Sequence, residues 1–170
     1  RNAILTPEMN IELAKKLADR GHKVFIVAPR FPSREQFSYK DITVFRCLSI
    51  SAHIYENSKF ALPFNPLIFK FIIDNNIEIV HFHTPASLGM QAVLIAKLLG
   101  LPLIGTFHTF FADPHYLTHV KLSHRAVEKI AWSLSNLFYN RCDLVVCPSE
   151  GTKSELLVRK CSAPIKIIPH

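Results

Sequence analysis

The chain has 170 residues, 49% of them apolar and only 5 of them glycine; this suits one domain with a sizeable core and excludes collagen-like, low-complexity and disordered chains. A formal charge of +7 favours anionic partners, such as phosphate esters or an acidic membrane surface. The basic residues are spread over helices, with no zinc-finger spacing and no aromatic–basic RNA motif, so nucleic acid is not expected as a partner.

In chain order, residues 8–20 place Ile11, Leu13, Ala14, Leu17 and Ala18 along one side of a helix, with Pro7 suited to its first turn and Gly21 to its C-terminal cap. Residues 23–28 (KVFIVA) form a continuous apolar run ended by Pro29, the pattern of a buried parallel strand. A polar, loop-like stretch follows over 30–41, and residues 42–47 alternate as a short strand. Asn65-Pro66 opens a helix over 65–75. Residues 78–83 (EIVHFH) read as a strand, 87–99 as a mostly apolar helix capped by Gly100, and 102–107 (PLIGTF) as a strand. The clearest amphipathic pattern spans 122–139, where Leu122, Ala126, Ile130, Leu134, Leu137 and Phe138 are expected to share the core-facing side. A strand over 143–147, a helix over 151–160 and a strand over 165–168 complete the chain.

This alternation of strand and helix predicts an α/β fold, a Rossmann-like parallel sheet with helices on both faces. Sites in such sheets lie at the carboxyl ends of the strands. Cys47, Cys142, Cys147 and Cys161 match no metal or disulfide spacing, and a reducing, cytoplasmic compartment is expected. The longest apolar stretch, residues 60–73, is interrupted by Pro63, Pro66 and Lys70 and falls short of the ~20 residues that span a bilayer. Arg1 at the start and the strand-like run before His170 read as cut ends, so a longer protein is expected.

Histidines mark the strand ends. His81 and His83 are two apart and share one face of their strand, with His83 nearer the carboxyl end and a helix opening at Ser87 just beyond. That arrangement suits a phosphate or a sugar hydroxyl; for His81 the plainer reading is a hydrogen-bonded core histidine. His108 occupies the corresponding end of the next strand, and consecutive strands commonly neighbour each other, so His83 and His108 are expected to face one cleft. The loop that follows, FFADPHYL, holds Asp113, which serves equally well as an acceptor for a sugar or glycerol hydroxyl or as an ordinary Asp-Pro turn residue. Ser149, at another strand end, reads first as a helix cap and second as a hydroxyl facing the cleft.

The segment IEIVHFHTPASLGMQAVLIAKLLGLPLIGTFHT, followed by RCDLVVCPSEGTKSELL and KIIPH, and preceded by GHKVFIVAP, resembles family 4 of the GT-B glycosyltransferases, in the family's order and over most of the chain. FHTFFADPHYL looks most like diacylglycerol glucosyltransferases, and the surroundings of Thr-Phe-His-Thr also resemble phosphatidylinositol mannosyltransferases. The resemblance implies that residues 1–170 are the N-terminal, acceptor-side domain of a two-domain enzyme, incomplete at its N-terminus and without the C-terminal nucleotide-sugar domain. It implies a retaining transfer of a hexose, UDP-glucose being the expected donor, to a membrane lipid such as diacylglycerol. It further implies that His108 contacts the donor sugar near the reaction centre as the candidate catalytic residue. His83, Thr109, Asp113 and Ser149 are the candidate substrate-binding residues. Only Asn2-Ala3 stands where the family has Asn-Gly, which leaves the phosphate-side loop open.

No cofactor is expected and, with no Asp-x-Asp motif, transfer is expected to be metal-independent. A lipid acceptor calls for peripheral association with the cytoplasmic membrane face. The candidate surfaces are residues 60–71 and the polar side of 122–141, carrying Lys121, Arg125, Lys129 and Arg141; in each case a core helix with a solvated face is the plainer reading. The alternatives are a polysaccharide or small-molecule acceptor, a non-catalytic Rossmann binding module, and a metal-dependent hydrolase built on His81, His83, His108, His115 and His119. Asp113 is the only carboxylate near that histidine set.

Overall fold

The computed structural model describes residues 7–29, 39–47, 49–51, 59–61, 65–83, 87–108 and 124–169. The chain divides into two compact units, Arg1–Asn75 and Asn76–His170. Both are α/β, with parallel sheets flanked by helices, as the alternation of strand and helix patterns predicts.

In the first unit, helix α1 (Pro7–Asp19) leads into β1 (Val24–Pro29), which pairs in parallel with β2 (Ile42–Cys47), Val24 opposite Ile42 and Pro29 opposite Cys47. Gly21 ends α1 with φ +85°, a conformation that an L side chain resists, and its N–H donates to the Ala18 carbonyl. Ala14 and Ala18 are buried against Ile42, with Val24, Ile26, Tyr39 and Val44 packed around them, while Leu13 is exposed. Asp19 at the end of α1 ties to the turn before β2 by accepting from Tyr39 Oη at 3.1 Å and Lys40 Nζ at 2.5 Å.

Two short strands, β3 (Ser49–Ser51) and β4 (Lys59–Ala61), pair antiparallel. The sequence pattern does not announce them, because three residues are too few for an alternation to register and the apolar run at 60–73 reads as one segment. The structure divides that run. Phe60 belongs to β4, and α2 (Pro66–Asp74) starts afresh at Asn65, whose Oδ1 accepts from the Leu67 N–H at 3.0 Å. Ile68 and Ile72 of α2 are buried, and the Phe71 ring meets Phe25 and Phe45 with centroids 5.7 and 4.8 Å away. Ile68, Phe71 and Ile72 thus face the core while Leu67 and Ile73 are exposed, and residues 62–64 of the 60–71 stretch lie outside the described residues.

The second unit is a four-stranded parallel sheet in the order β5 (Val80–Phe82), β6 (Leu103–Thr106), β7 (Leu144–Cys147), β8 (Ile165–Ile167), connected by α3 (Ser87–Leu99), α4 (His124–Tyr139) and α5 (Glu150–Val158). Register places Val80 opposite Leu103, Phe82 opposite Gly105 and Gly105 opposite Val145. With a side-chain period of two, each strand then contributes to two distinct faces. One face, Val80, Phe82, Leu103, Phe107, Val145 and Cys147, is buried and forms the core with Trp132 and Tyr139 of α4 and Leu156 of α5. The other carries His81, His83, Ile104, Thr106, His108, Leu144 and Val146, most of them only half-buried.

Gly105 is required by the first of these faces. A Cβ there would lie 2.9 Å from Phe82 Cζ and 3.0 Å from both Cys142 Sγ and Tyr139 Cδ1, so the absence of a side chain lets α4 approach the sheet. Asp143 fixes the start of β7: its carboxylate accepts from the Leu103 N–H at 2.8 Å, and its own N–H donates to the Leu103 carbonyl at 2.9 Å. All four cysteines are free thiols and buried; burial, reinforced by Cys161 and Asp143, pushes the Cys142 thiol up to about 12.

One expectation about α4 is corrected. Ile130, Leu134 and Leu137, read from the sequence as core-facing, are 52%, 47% and 48% exposed. The buried side of the helix is instead Ala131, Trp132, Ser135 and Tyr139. The helix has two apolar sides, and periodicity alone selects the one richer in leucine and isoleucine; the sheet takes the one that offers aromatic rings and small residues beside Gly105.

Candidate active site

The strand faces decide where the histidines go. His81 and His83 share a face of β5, and because His81 is opposite Ile104, that face continues on β6 through Thr106 to His108. His81 Nε2 is 2.6 Å from Thr106 Oγ1, and His83 Nδ1 is 3.0 Å from His108 Nε2. The rings stack in series, His81 on His83 with centroids 4.3 Å apart and His83 on His108 at 5.3 Å. The carboxyl ends of two neighbouring parallel strands thus carry a column of three imidazoles.

The three rings differ in environment. Burial pushes the His81 imidazole down to about 4, so at neutral pH it is uncharged and acts as a hydrogen-bonding spacer beneath His83. In the His83–His108 contact one ring nitrogen carries the proton and the other receives it, so each ring fixes the tautomer of its partner.

The backbone under His108 is held from the opposite face. The Phe107 N–H donates to the Val146 carbonyl at 2.8 Å, extending the sheet beyond β6. The Phe107 ring stacks on Trp132 with centroids 5.8 Å apart and meets Tyr139 edge-on at 5.6 Å. Tyr139 Oη donates to the Thr106 carbonyl at 3.2 Å. Trp132 in turn lies under the Arg159 guanidinium, which is ion-paired with Glu128. A strand end gripped by a helix in this way presents His108 from a rigid base. Thr106 and Phe107 belong to the Thr-Phe-His-Thr segment that the sequence brings forward, but only the strand register connects Thr106 to His81, and Tyr139 carries no local signal for a place at the site.

The expected substrate-binding positions divide three ways. His83 is brought onto His108. Ser149 is exposed at the carboxyl end of β7, where its Oγ accepts from the Thr152 N–H at 3.2 Å and caps α5. Thr109 and Asp113 lie outside the described residues, as do His115 and His119. Among the described residues no three His, Cys, Asp or Glu side chains are grouped so as to hold a metal ion, and the histidine-cluster reading finds no ligand set there. Among the same residues no helix is long and apolar enough to cross a membrane.

A parallel sheet with polar groups converging at its carboxyl ends is common to many α/β enzymes, and the geometry alone does not choose among them. The sequence profile of Glycosyltransferase Family 4 matches residues 9–170. This chain belongs to glycosyltransferase family 4. The Rossmann-like fold is that of the N-terminal domain of GT-B glycosyltransferases, as the resemblance of the strand-end motifs implied. The chain is 28% identical to the alpha-monoglucosyldiacylglycerol synthase of Streptococcus pneumoniae, over 92% of this chain and 35% of that protein. It is 24% identical to the alpha-monoglucosyldiacylglycerol synthase of Acholeplasma laidlawii, over 94% of this chain and 40% of that protein. It is 27% identical to the phosphatidylinositol N-acetylglucosaminyltransferase GPI3 subunit of Saccharomyces cerevisiae, over 93% of this chain and 34% of that protein. The chain therefore spans between about a third and two fifths of the length of these relatives.

Proposed function

We propose that this chain is the acceptor-side part of a retaining glycosyltransferase that moves a hexose, with UDP-glucose as donor, to a membrane lipid such as diacylglycerol. The observation that carries the reading is the His83–His108 hydrogen bond at the carboxyl ends of β5 and β6, where an α/β sheet places its ligands. The names of the relatives support a lipid acceptor, since they include alpha-monoglucosyldiacylglycerol synthases and a phosphatidylinositol N-acetylglucosaminyltransferase subunit.

In this reading His108 orients the donor sugar, and His83 holds the His108 ring in one tautomer and one orientation. The acceptor oxygen forms a bond to the anomeric carbon as the bond from that carbon to the diphosphate breaks, and the acceptor proton passes to a leaving phosphate oxygen. The charge that develops on the diphosphate is met by basic side chains and helix N-termini, without a metal ion. Thr109, Asp113 and Ser149 are assigned to the acceptor and the rim of the cleft. Lipid transfer also implies peripheral association with the cytoplasmic face of a membrane.

The test is a screen of the full-length protein with radiolabelled sugar nucleotides against lipid extracts. Label from UDP-glucose is expected in a chloroform-soluble product that comigrates with glucosyldiacylglycerol. Label confined to water-soluble products would overturn the lipid assignment in favour of a polysaccharide or small-molecule acceptor.

A further inference from the structure

Arg159 caps α5 at the end away from the cleft, ten residues and about 15 Å of helix from Ser149 at the rim. Its side chain runs back along α4. The Arg159 carbonyl accepts from Asn136 Nδ2 at 2.6 Å, the guanidinium lies over the Trp132 ring with Cζ 5.2 Å from the centroid, and its tip is ion-paired with Glu128. Asn136, Trp132 and Glu128 are four residues apart, so they form one stripe of α4 that climbs a turn at a time toward the cleft. Below them Asn140 extends the stripe, its Oδ1 accepting from the Ser162 N–H at 2.8 Å. One arginine is thus laid along two turns of α4 and fastens that helix to the end of α5.

The middle contact leads to the site. Trp132 is 4% exposed and stacks on Phe107 with the two planes 12° apart. Phe107 and His108 are consecutive, so their side chains leave the backbone on opposite sides of the sheet. A displacement of the Phe107 ring therefore tilts the peptide that carries His108, and with it the 3.0 Å bond to His83.

We infer that Arg159 is a positioning residue for His108, acting through Trp132 and Phe107 and touching no substrate. Its effect on turnover rests on the reading of His108 as the residue that orients the donor sugar; its hold on the His108 ring does not. A guanidinium suits the task because it is flat and permanently charged, and so covers an indole face while it pairs with a carboxylate. A lysine ammonium keeps the ion pair with Glu128 but covers less of the ring. Misplacing a reacting group by about 1 Å lowers turnover by as much as about a hundredfold, so a residue outside the cleft acts on the reaction through placement alone.

The test uses full-length protein carrying Arg159→Met, which keeps an unbranched stem and loses the guanidinium, or Arg159→Lys, which keeps the charge. Placement is read without turnover from the ring-nitrogen NMR signals of histidine-labelled protein, assigned with His83→Gln and His108→Gln. Arg159→Met is expected to shift the His83 and His108 signals and to leave that of the exposed His22 unmoved. In transfer from UDP-glucose, kcat is expected to fall at least about fivefold in Arg159→Met and to recover in part in Arg159→Lys, with KM for UDP-glucose within about twofold of wild type. In a His108→Ala background the same substitution is expected to cost less than about twofold, because no ring is left to place. If Arg159→Met melts below the assay temperature, Arg159→Lys carries both readouts, with smaller changes in the same direction. Unmoved His83 and His108 signals would overturn the inference, and so would an equal fall in kcat in both backgrounds, the result a merely structural loss gives. Shifted signals together with full turnover in His108→Ala would uphold the hold of Arg159 on the His108 ring and remove the donor-sugar reading.

Discussion

His83 Nδ1 lies 3.0 Å from His108 Nε2, a hydrogen bond between side chains 25 residues apart that sit at the ends of neighbouring strands. Such a contact commits one nitrogen of each ring and so determines what the other nitrogen of that ring can do. Protonating both rings would set two N–H groups against each other, so the bond persists only while the pair holds no more than one extra proton. Beneath it, His81 is kept uncharged by burial and is joined to Thr106, which holds the column upright from the sheet side.

The buried His81 makes stability depend on pH. Its folded-state value of about 4 lies below the ordinary 6.5, so between these pH values the unfolded chain binds a proton that the folded chain does not. The stabilising contribution is complete above about pH 6.5, declines as pH falls, and levels off below about 4, with a slope of at most about 1.4 kcal/mol per pH unit. Urea unfolding of wild type and His81→Gln, compared at pH 7 and pH 5, is expected to show a smaller loss in the variant. Parallel losses would mean that His81 is not the group responsible.

Gly105→Ala places a methyl group against Phe82, Tyr139 and Cys142 and is expected to destabilise the protein by about 1–3 kcal/mol through overpacking. Because Phe82 and Tyr139 also brace the strand end that bears His108, activity is expected to fall further than the loss of folded protein explains. A denaturant midpoint equal to that of wild type would show that α4 yields at little cost.

Gln91 on α3 is 2% exposed, and among the described residues neither its Nε2 nor its Oε1 has a hydrogen-bond partner. An amide buried in this way costs about 1–3 kcal/mol of desolvation. Gln91→Met, of similar length and volume, is expected to raise stability by about 1 kcal/mol, read as a higher denaturant midpoint. A lower midpoint would show that the amide is satisfied in solution, for instance by a buried water.

The sequence exposes the elements of this fold where each carries a complete local signal. Asn65-Pro66 caps α2, Gly21 and Gly100 end α1 and α3 at φ +85° and +65°, and β5, β6 and β7 lie within continuous apolar runs. It conceals β3 and β4, whose three residues each depend on pairing with one another and not on local pattern. It also misdirects at α4, where two apolar sides compete and the outcome depends on Gly105, which lies in another strand. At the site, position along the strand suffices to bring His83 and His108 forward. The His81–Thr106 bond and the grip of Trp132 and Tyr139 on Phe107 depend on register and helix packing, which no local window contains.

The central claim is that glycosyl transfer takes place at the His83–His108 pair, and a double-mutant cycle on transfer by the full-length enzyme tests it most directly. His108→Ala is expected to lower kcat by at least about tenfold, or ~1.4 kcal/mol of barrier. His83→Ala is expected to lower kcat as well, and the double variant to fall little below His108→Ala alone, because His83 acts through its partner. Unchanged turnover in His108→Ala, or losses that simply add in the double variant, would contradict the account.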